Sequence, residues 1–175
     1  ELLYHLDAEP EVMRFISGGS GTPREVIERV VLPRFISEQD AEGIFGFWAA
    51  EQVSAFIGWY SLRQVEGKPD EATLGYRLRQ DAWGKGLATE GARLLIARGF
   101  QLGGLEKVIA TTYQDNHASI AVMRKLGLQF QRSFRMTSEG LQAMDTAAPD
   151  TSSPFPGLDV EYAIDRDSWL AEQSS

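Results

Sequence analysis

Apolar residues change their spacing several times along this chain, and each change predicts an element. Leu2, Leu3 and Leu6 share one face of a first helix that breaks at Pro10. "EVMRFI" predicts a second helical turn, closed by the breaker cluster "SGGSG". In "TPREVIERVVLPRFISEQ", Thr22, Pro23 and Glu25 predict a capping-box start, Val26, Val30 and Val31 an apolar stripe, and Pro33 a kink or an early end. The pattern then switches to strands. "GIFGFWAA" and "SAFIGWYSLRQ" flank a polar link at Glu51 and Gln52, which predicts a hairpin. "EGKPDEA" predicts a turn and "TLGYRLR" another strand. In "LATEGARLLIARGFQLGG", Leu87, Leu94, Leu95 and Arg98 fall on one helical face, and Gly103 and Gly104 stop the helix. "LEKVIATTY" predicts a buried strand. "NHASIAVMRKLG" predicts a helix capped by Asn116, with Arg124 and Lys125 at the negative end of its dipole. "LQFQRSFRM" alternates as a strand, residues 137–157 form a proline-bearing loop, "LDVEYAI" is a last strand and "DRDSWLAEQ" a capped terminal turn. The sum is a mixed α/β fold. No repeat or linker divides it, which predicts one domain over residues 1–175.

Composition narrows the function. With 43% hydrophobic and 24% charged residues the chain is globular. No apolar run is long enough to span a bilayer, and "ELLYHLDAEPEV" lacks the basic-then-apolar pattern of a signal peptide. Zero cysteines remove disulfides, thiolate nucleophiles and Cys-ligated zinc, which is compatible with a cytoplasmic location. His5 and His117 stand alone without metal-ligand spacing, so no metal is expected. A net charge of -8 argues against a nucleic-acid partner. That charge serves solubility first, and secondarily draws a cationic substrate.

The chemistry concentrates in "DAWGKGLATEGA", residues 81–92, a glycine-rich turn that opens a helix. Gly84 and Gly86 let main-chain N–H groups approach an anion, and the helix start favours negative charge. A triphosphate loop needs Ser or Thr after Gly-Lys, but Lys85 is followed by Gly86 and Leu87. A dinucleotide fold needs G-x-G-x-x-G, and here the third position is Thr89. The acid about 20 residues on, Glu106, precedes its strand instead of ending one, so a nucleotide-binding oxidoreductase fits poorly. A pyrophosphate held between a mid-chain strand and helix remains.

"LGYRLRQDAWGKGLATEGARLL" followed by "NHASIAVMRKLGLQF" resembles the GNAT superfamily of N-acetyltransferases, and most resembles the branch of ribosomal-protein N-terminal acetyltransferases. The resemblance runs from "DAEPEVMRFI" to "DVEYAI". It implies a mixed, mostly antiparallel bent sheet flanked by helices, whose fourth and fifth strands ("TLGYRLR" and "KVIATTY") splay around acetyl-CoA, used as cosubstrate. Main-chain groups at Leu78 and Arg79 would meet the pantetheine arm, and the amides of Trp83, Gly84, Lys85, Gly86, Leu87 and Ala88 would wrap the pyrophosphate. The superfamily pattern opens with Gln or Arg where this chain has Asp81, an acid that must turn away from a phosphate. Members also start with a strand before the first helix, so the resemblance predicts such a strand ahead of residue 1. The branch's habit implies a homodimer.

Acetyl transfer to an amine needs a deprotonated amine, a polarised thioester and a protonated leaving thiolate. Without cysteine, direct attack is the simplest route. By the resemblance, Ser119 in N-x-x-S sits at the CoA sulfur as proton donor; by itself it reads equally as a helix-surface serine. Asn116 caps its helix and can still face the cofactor. Tyr113, ending its strand near the expected sulfur, is a second candidate acid, and Glu71, before the fourth strand, is a candidate base or a solvated turn acid. Tyr76 lines the acceptor pocket or packs. Trp83 shields the pyrophosphate or covers a sheet edge; Lys85 pairs with phosphate or is solvated; Glu90 is a dipole-favoured acid. The amine would come in between the N-terminal helices and the 137–157 loop. The acceptors left open are a protein N-terminus, an aminoglycoside, a polyamine or another small metabolite. A non-catalytic acyl-CoA-binding module is the alternative.

Overall fold

A computed structural model describes residues 1–135 and 156–173. Three helical segments come first: α1 (Leu2–Asp7), α2 (Pro10–Ser17) and α3 (residues 24–37), the last made of Arg24–Val26, a π-helical turn Ile27–Val31 and Leu32–Ser37. Then follow β1 (Gly46–Gln52), β2 (Ala55–Val65), β3 (Lys68–Leu78), α4 (Leu87–Leu102), β4 (Lys107–Tyr113), α5 (His117–Lys125), β5 (Gln129–Phe134), β6 (Asp159–Asp165) and α6 (Arg166–Gln173). Among the described residues, no helix is long and apolar enough to cross a membrane.

Six strands form one open sheet in the order β1-β2-β3-β4-β6-β5. Every neighbouring pair is antiparallel except β3 with β4, which is parallel. Even-numbered residues of β2, β3, β4 and β6, among them Leu62, Leu74, Val108 and Tyr162, pack with Ile96 and Phe100 of α4, Met123 of α5 and Trp169 of α6. The opposite face carries Phe47 and Trp59, covered by Leu6, Val12 and Phe35 from α1, α2 and α3. Period-2 alternation along the strands thus supplies two apolar faces, one for each group of helices.

Several sequence expectations shift in register. The hairpin turn is Val53 and Ser54, both at positive φ, while Glu51 and Gln52 still pair within β1. Lys68, Pro69 and Asp70 belong to β3, and the preceding turn is carried by Gly67 at φ 74°. Thr22 does not cap α3; its hydroxyl donates to Asp7 Oδ2 at 2.8 Å, a tertiary bond to α1. Pro33 does not end α3 early: a π-turn precedes it and the helix runs on to Ser37. Leu6, Val31 and Leu95 are buried as their stripes predict, whereas Leu2, Val30 and Leu94 point to solvent, and the buried faces add Ile27 in α3 and Ala92, Ile96 and Gly99 in α4. Val30 and Leu94 each lie one position from a true core residue, Val31 and Leu95, an error to which short helical stripes are prone. The predicted terminal turn is a full helix, α6, whose start is capped by Asp165 accepting from the Ser168 amide at 2.7 Å. Of the 137–157 loop, only residues 156 and 157 fall among those described.

Candidate active site

The parallel ladder between β3 and β4 is short. It pairs Glu71 with Lys107, Ala72 with Val108 and Thr73 with Ile109, and then stops. Beyond Thr73, β3 continues alongside β2 as far as Leu78, while β4 continues alongside β6 as far as Tyr113. Alternation fixes where their main chains point. The Arg79 amide donates to Ile57 O, so odd residues of β3 bond towards β2. Even residues, Leu74, Tyr76 and Leu78, therefore turn N–H and C=O towards β4. On β4 the Gln114 amide donates to Leu158 O, so even residues bond towards β6 and odd residues, Thr111 and Tyr113, turn towards β3. The two strands diverge with polar main chain on both inner edges.

A cleft of about 500 Å³ fills this divergence, a size suited to a small-molecule ligand. Its walls include Tyr76, Leu78, Thr111 and Tyr113 from the strands, Asn116 and Ser119 from α5, and Trp83, Gly84, Gly86, Leu87 and Ala88 from the glycine turn. The N-terminal side is closed by Glu11, Arg14 and Phe15 of α2. Sequence reasoning gave α2 no residue in the site; its signal was the unexplained Phe15, which stacks on Tyr113 at 6.0 Å between ring centres.

The glycine turn has a distinct geometry. A 3₁₀ turn over Gln80–Ala82 buries Ala82 and leads into Gly84 at φ 71° and Gly86 at φ 81°. Neither glycine has any atom within 4 Å of the place a Cβ would occupy; each is required by its left-handed backbone, not by crowding. Gly86 caps α4 without a side-chain acceptor. Among the described residues, the amides of residues 84–89 find no protein acceptor, whereas the Trp83 amide donates to Gln80 O at 3.1 Å. A run of open amides at a 16-residue helix start is an anion cradle. Trp83 Nε1 donates to Leu78 O at 2.8 Å and fixes the turn against the end of β3.

Two residues expected at the cofactor, Arg79 and the Lys85 side chain, and the candidate base Glu71 do not line this cleft. The Arg79 amide is spent on Ile57 O, and its side chain pairs with Asp81 at 3.0 Å and Glu9 at 3.8 Å. Asp81, paired with Arg79, does not line the cleft. Lys85 is exposed and does not line the walls. Glu71 lies in a neighbouring depression, where Lys68 Nζ meets it at 3.1 Å. Five residues of extended strand separate it from Tyr76, roughly 16 Å, so the structure does not bring Glu71 to the other site residues.

What it does bring together is Tyr76 and Ser119. Their hydroxyls share a hydrogen bond at 2.9 Å in which either can donate, and Tyr76 Oη also lies 3.4 Å from Ser119 O. Burial pushes the Tyr76 phenol up to about 12, so it keeps its proton at neutral pH. Asn116 Oδ1 accepts from the Ser119 amide at 3.2 Å and its Nδ2 donates to Thr112 Oγ1 at 3.0 Å, tying the start of α5 to β4. Asn116→Ala removes both bonds, and unfolding by urea should show a loss of about 1 kcal/mol. Tyr113 is buried, and a side chain at Gly157 would collide with its hydroxyl oxygen. His5 and His117 are exposed.

The model of the acetyltransferase (GNAT) domain matches residues 1–129 of this chain. Over 99% of its length the chain is 31% identical to FsC-acetyl coenzyme A-N(2)-transacetylase of Aspergillus fumigatus, covering 72% of that protein. Two solved structures share its fold. An acetyltransferase of the GNAT family from Bacillus anthracis superposes with a TM-score of 0.69 at 18% identity, over 95% of this chain and 88% of that one. Spermidine N-acetyltransferase from Vibrio cholerae, in complex with CoA and spermine, superposes with a TM-score of 0.68 at 11% identity, over 95% and 89% of the two chains.

Proposed function

The chain belongs to the GNAT acetyltransferases, and from that premise we propose that it moves the acetyl group of acetyl-CoA directly to a primary amine in the cleft between β3 and β4. One observation carries the reading: where the β3–β4 ladder ends, the diverging inner edges of the two strands, the open amides of the glycine turn and a hydroxyl pair line one cleft, as a pantetheine thioester with its pyrophosphate needs. The amides of residues 84–89 hold the pyrophosphate, Leu78 lies beside the pantetheine arm, and Tyr76 with Ser119 sits at the thioester end. Bound there, acetyl-CoA supplies an activated acyl carbon and a thiolate leaving group.

The residues of the chain orient and move protons. Holding amine and thioester in line removes most of the entropic barrier. As the C–N bond forms and the C–S bond breaks, the Ser119–Tyr76 pair delivers a proton to the departing sulfur. The proton lost from the amine leaves to solvent, and a proton taken from solvent restores the pair. Glu71 lies too far along β3 to take that proton directly. Tyr113 packs against Phe15 and shapes the wall. For the acceptor, the relative that transfers acetyl to an N(2) position and the fold neighbour solved with spermine support an amine on a small molecule. A protein N-terminus is the competing acceptor.

The test is thiol release from acetyl-CoA against a panel of α-amines, polyamines, aminoglycosides and peptide N-termini. Amine-dependent release with at least one small molecule is expected. CoA binding without turnover on any amine would instead mark a sensor of acyl-CoA. The hydroxyl pair also predicts a pH effect on stability. Because the folded Tyr76 phenol titrates near 12 and a free phenol near 10, the folded state holds a proton that the unfolded chain gives up. This contribution is complete below pH 10 and is lost as pH rises from 10 to 12. Urea midpoints measured across that window should fall, and fall less in Tyr76→Phe.

A further inference from the structure

Gly91 stands one turn inside α4, where a glycine weakens a helix relative to alanine, and neither the turn nor the cap requires it there. Its surroundings explain it. A Cβ at Gly91 would lie 2.7 Å from both Cε1 and Cε2 of Tyr60, so the helix rests directly on the face of that ring. Tyr60 projects from β2, and its hydroxyl donates to the carbonyl of Leu87, the first residue of α4, at 2.6 Å. The ring is half-buried, touching the cluster of Leu78, Ala82, Leu87 and Ala88 that forms the floor of the cradle. Burial raises its phenol to about 12, so the donor stays protonated across the neutral range.

We propose that Tyr60 is a positioning residue for the cofactor: its ring and hydroxyl, admitted by Gly91, hold the first turn of α4 at the height from which the amides of residues 84–89 meet the CoA pyrophosphate. The assignment rests on the reading of that turn as a CoA cradle. Tyr60 itself does not line the cleft, so its influence passes through the Leu87 carbonyl and the helix backbone. The part of the ligand it governs is therefore the pyrophosphate, not the pantetheine arm, which lies along β3. Rigid fixing of donors by a second residue is what gives such cradles their affinity.

The experiment titrates CoA and pantetheine, which lacks the pyrophosphate, into the wild type, Tyr60→Phe and Gly91→Ala, following intrinsic tryptophan fluorescence and heat. Losing one positioning hydrogen bond should weaken CoA about fivefold to tenfold in Tyr60→Phe. Gly91→Ala, which lifts the helix off the ring, should weaken CoA at least as much, and pantetheine affinity should stay within about twofold in both. Unchanged CoA affinity in Tyr60→Phe overturns the proposal. Equal weakening of CoA and pantetheine also overturns it, because the damage would then be general. If the wild type binds no CoA at all, the cradle reading itself fails and the role of Tyr60 falls with it.

Discussion

Breaking the Tyr76–Ser119 hydroxyl pair should lower kcat about 100-fold from either side. The two oxygens lie 2.9 Å apart and each lines the cleft, and in the proposed transfer a proton passing to the thiolate uses both. Tyr76→Phe removes the donor that burial keeps protonated. Ser119→Ala removes the link between that phenol and the start of α5. Groups that act as one relay are strongly non-additive, so the double variant should be only a few-fold slower than either single one. CoA affinity should move by less than about threefold, because neither hydroxyl touches the pyrophosphate turn. Single-turnover thiol release, with chemistry rate-limiting, reads this directly. Full turnover in Ser119→Ala would show that sulfur leaves without help from the pair.

The largest stability effect is expected at Asp7. Its carboxylate ends α1, is 3% exposed, accepts from Arg77 Nη1 at 2.5 Å and receives the Thr22 hydroxyl. Arg77 is itself buried on β3, with its guanidinium 5.2 Å from the centre of the Trp59 ring. Removing one member of such a pair leaves a charge in a poorly solvated place. Asp7→Ala should therefore cost about 3–5 kcal/mol in urea unfolding. Replacing both, as Asp7→Ala with Arg77→Met, should recover a large part of that loss, since no unpaired charge remains. A loss under about 1 kcal/mol in Asp7→Ala would mean that solvent reaches Arg77 once the carboxylate is gone. The pair matters to function because it fastens α1, and α2 behind it, to the strand that forms one wall of the cleft.

Local signals made most of the fold legible. Asn116 followed by Ser119, the two glycines around Lys85 and the β-rich run "KVIATTY" each name their own conformation, and the elements they predict are those found. The hairpin was legible in outline but not in register. Val53 is a poor turn residue on propensity, and it turns because the strands on either side of it pair. The apolar stripe of α3 was legible only in part because that helix winds as a π-turn in its middle, a feature with no sequence signature of its own.

The candidate site divides along the same line. The open turn at the start of α4 could be read from Gly84 and Gly86 because their left-handed backbone shapes it, and glycine announces that. Contacts across the fold could not. That Tyr76 meets Ser119, 43 residues on, depends on how β3 and α5 face each other across the splay. That Arg79 turns away depends on Glu9 and Asp81. Glu71 was attractive because a carboxylate on the right strand suits a base. What sequence could not supply was the height along that strand, which places it with Lys68 instead.

The most direct measurement is a crystal structure of the protein with CoA. The account predicts pyrophosphate oxygens within hydrogen-bond reach of the amides of residues 84–89, and the sulfur about 3–4 Å from the Ser119 or Tyr76 hydroxyl oxygen. CoA lying outside the divergence of β3 and β4, or with its sulfur turned away from that hydroxyl pair, would contradict it.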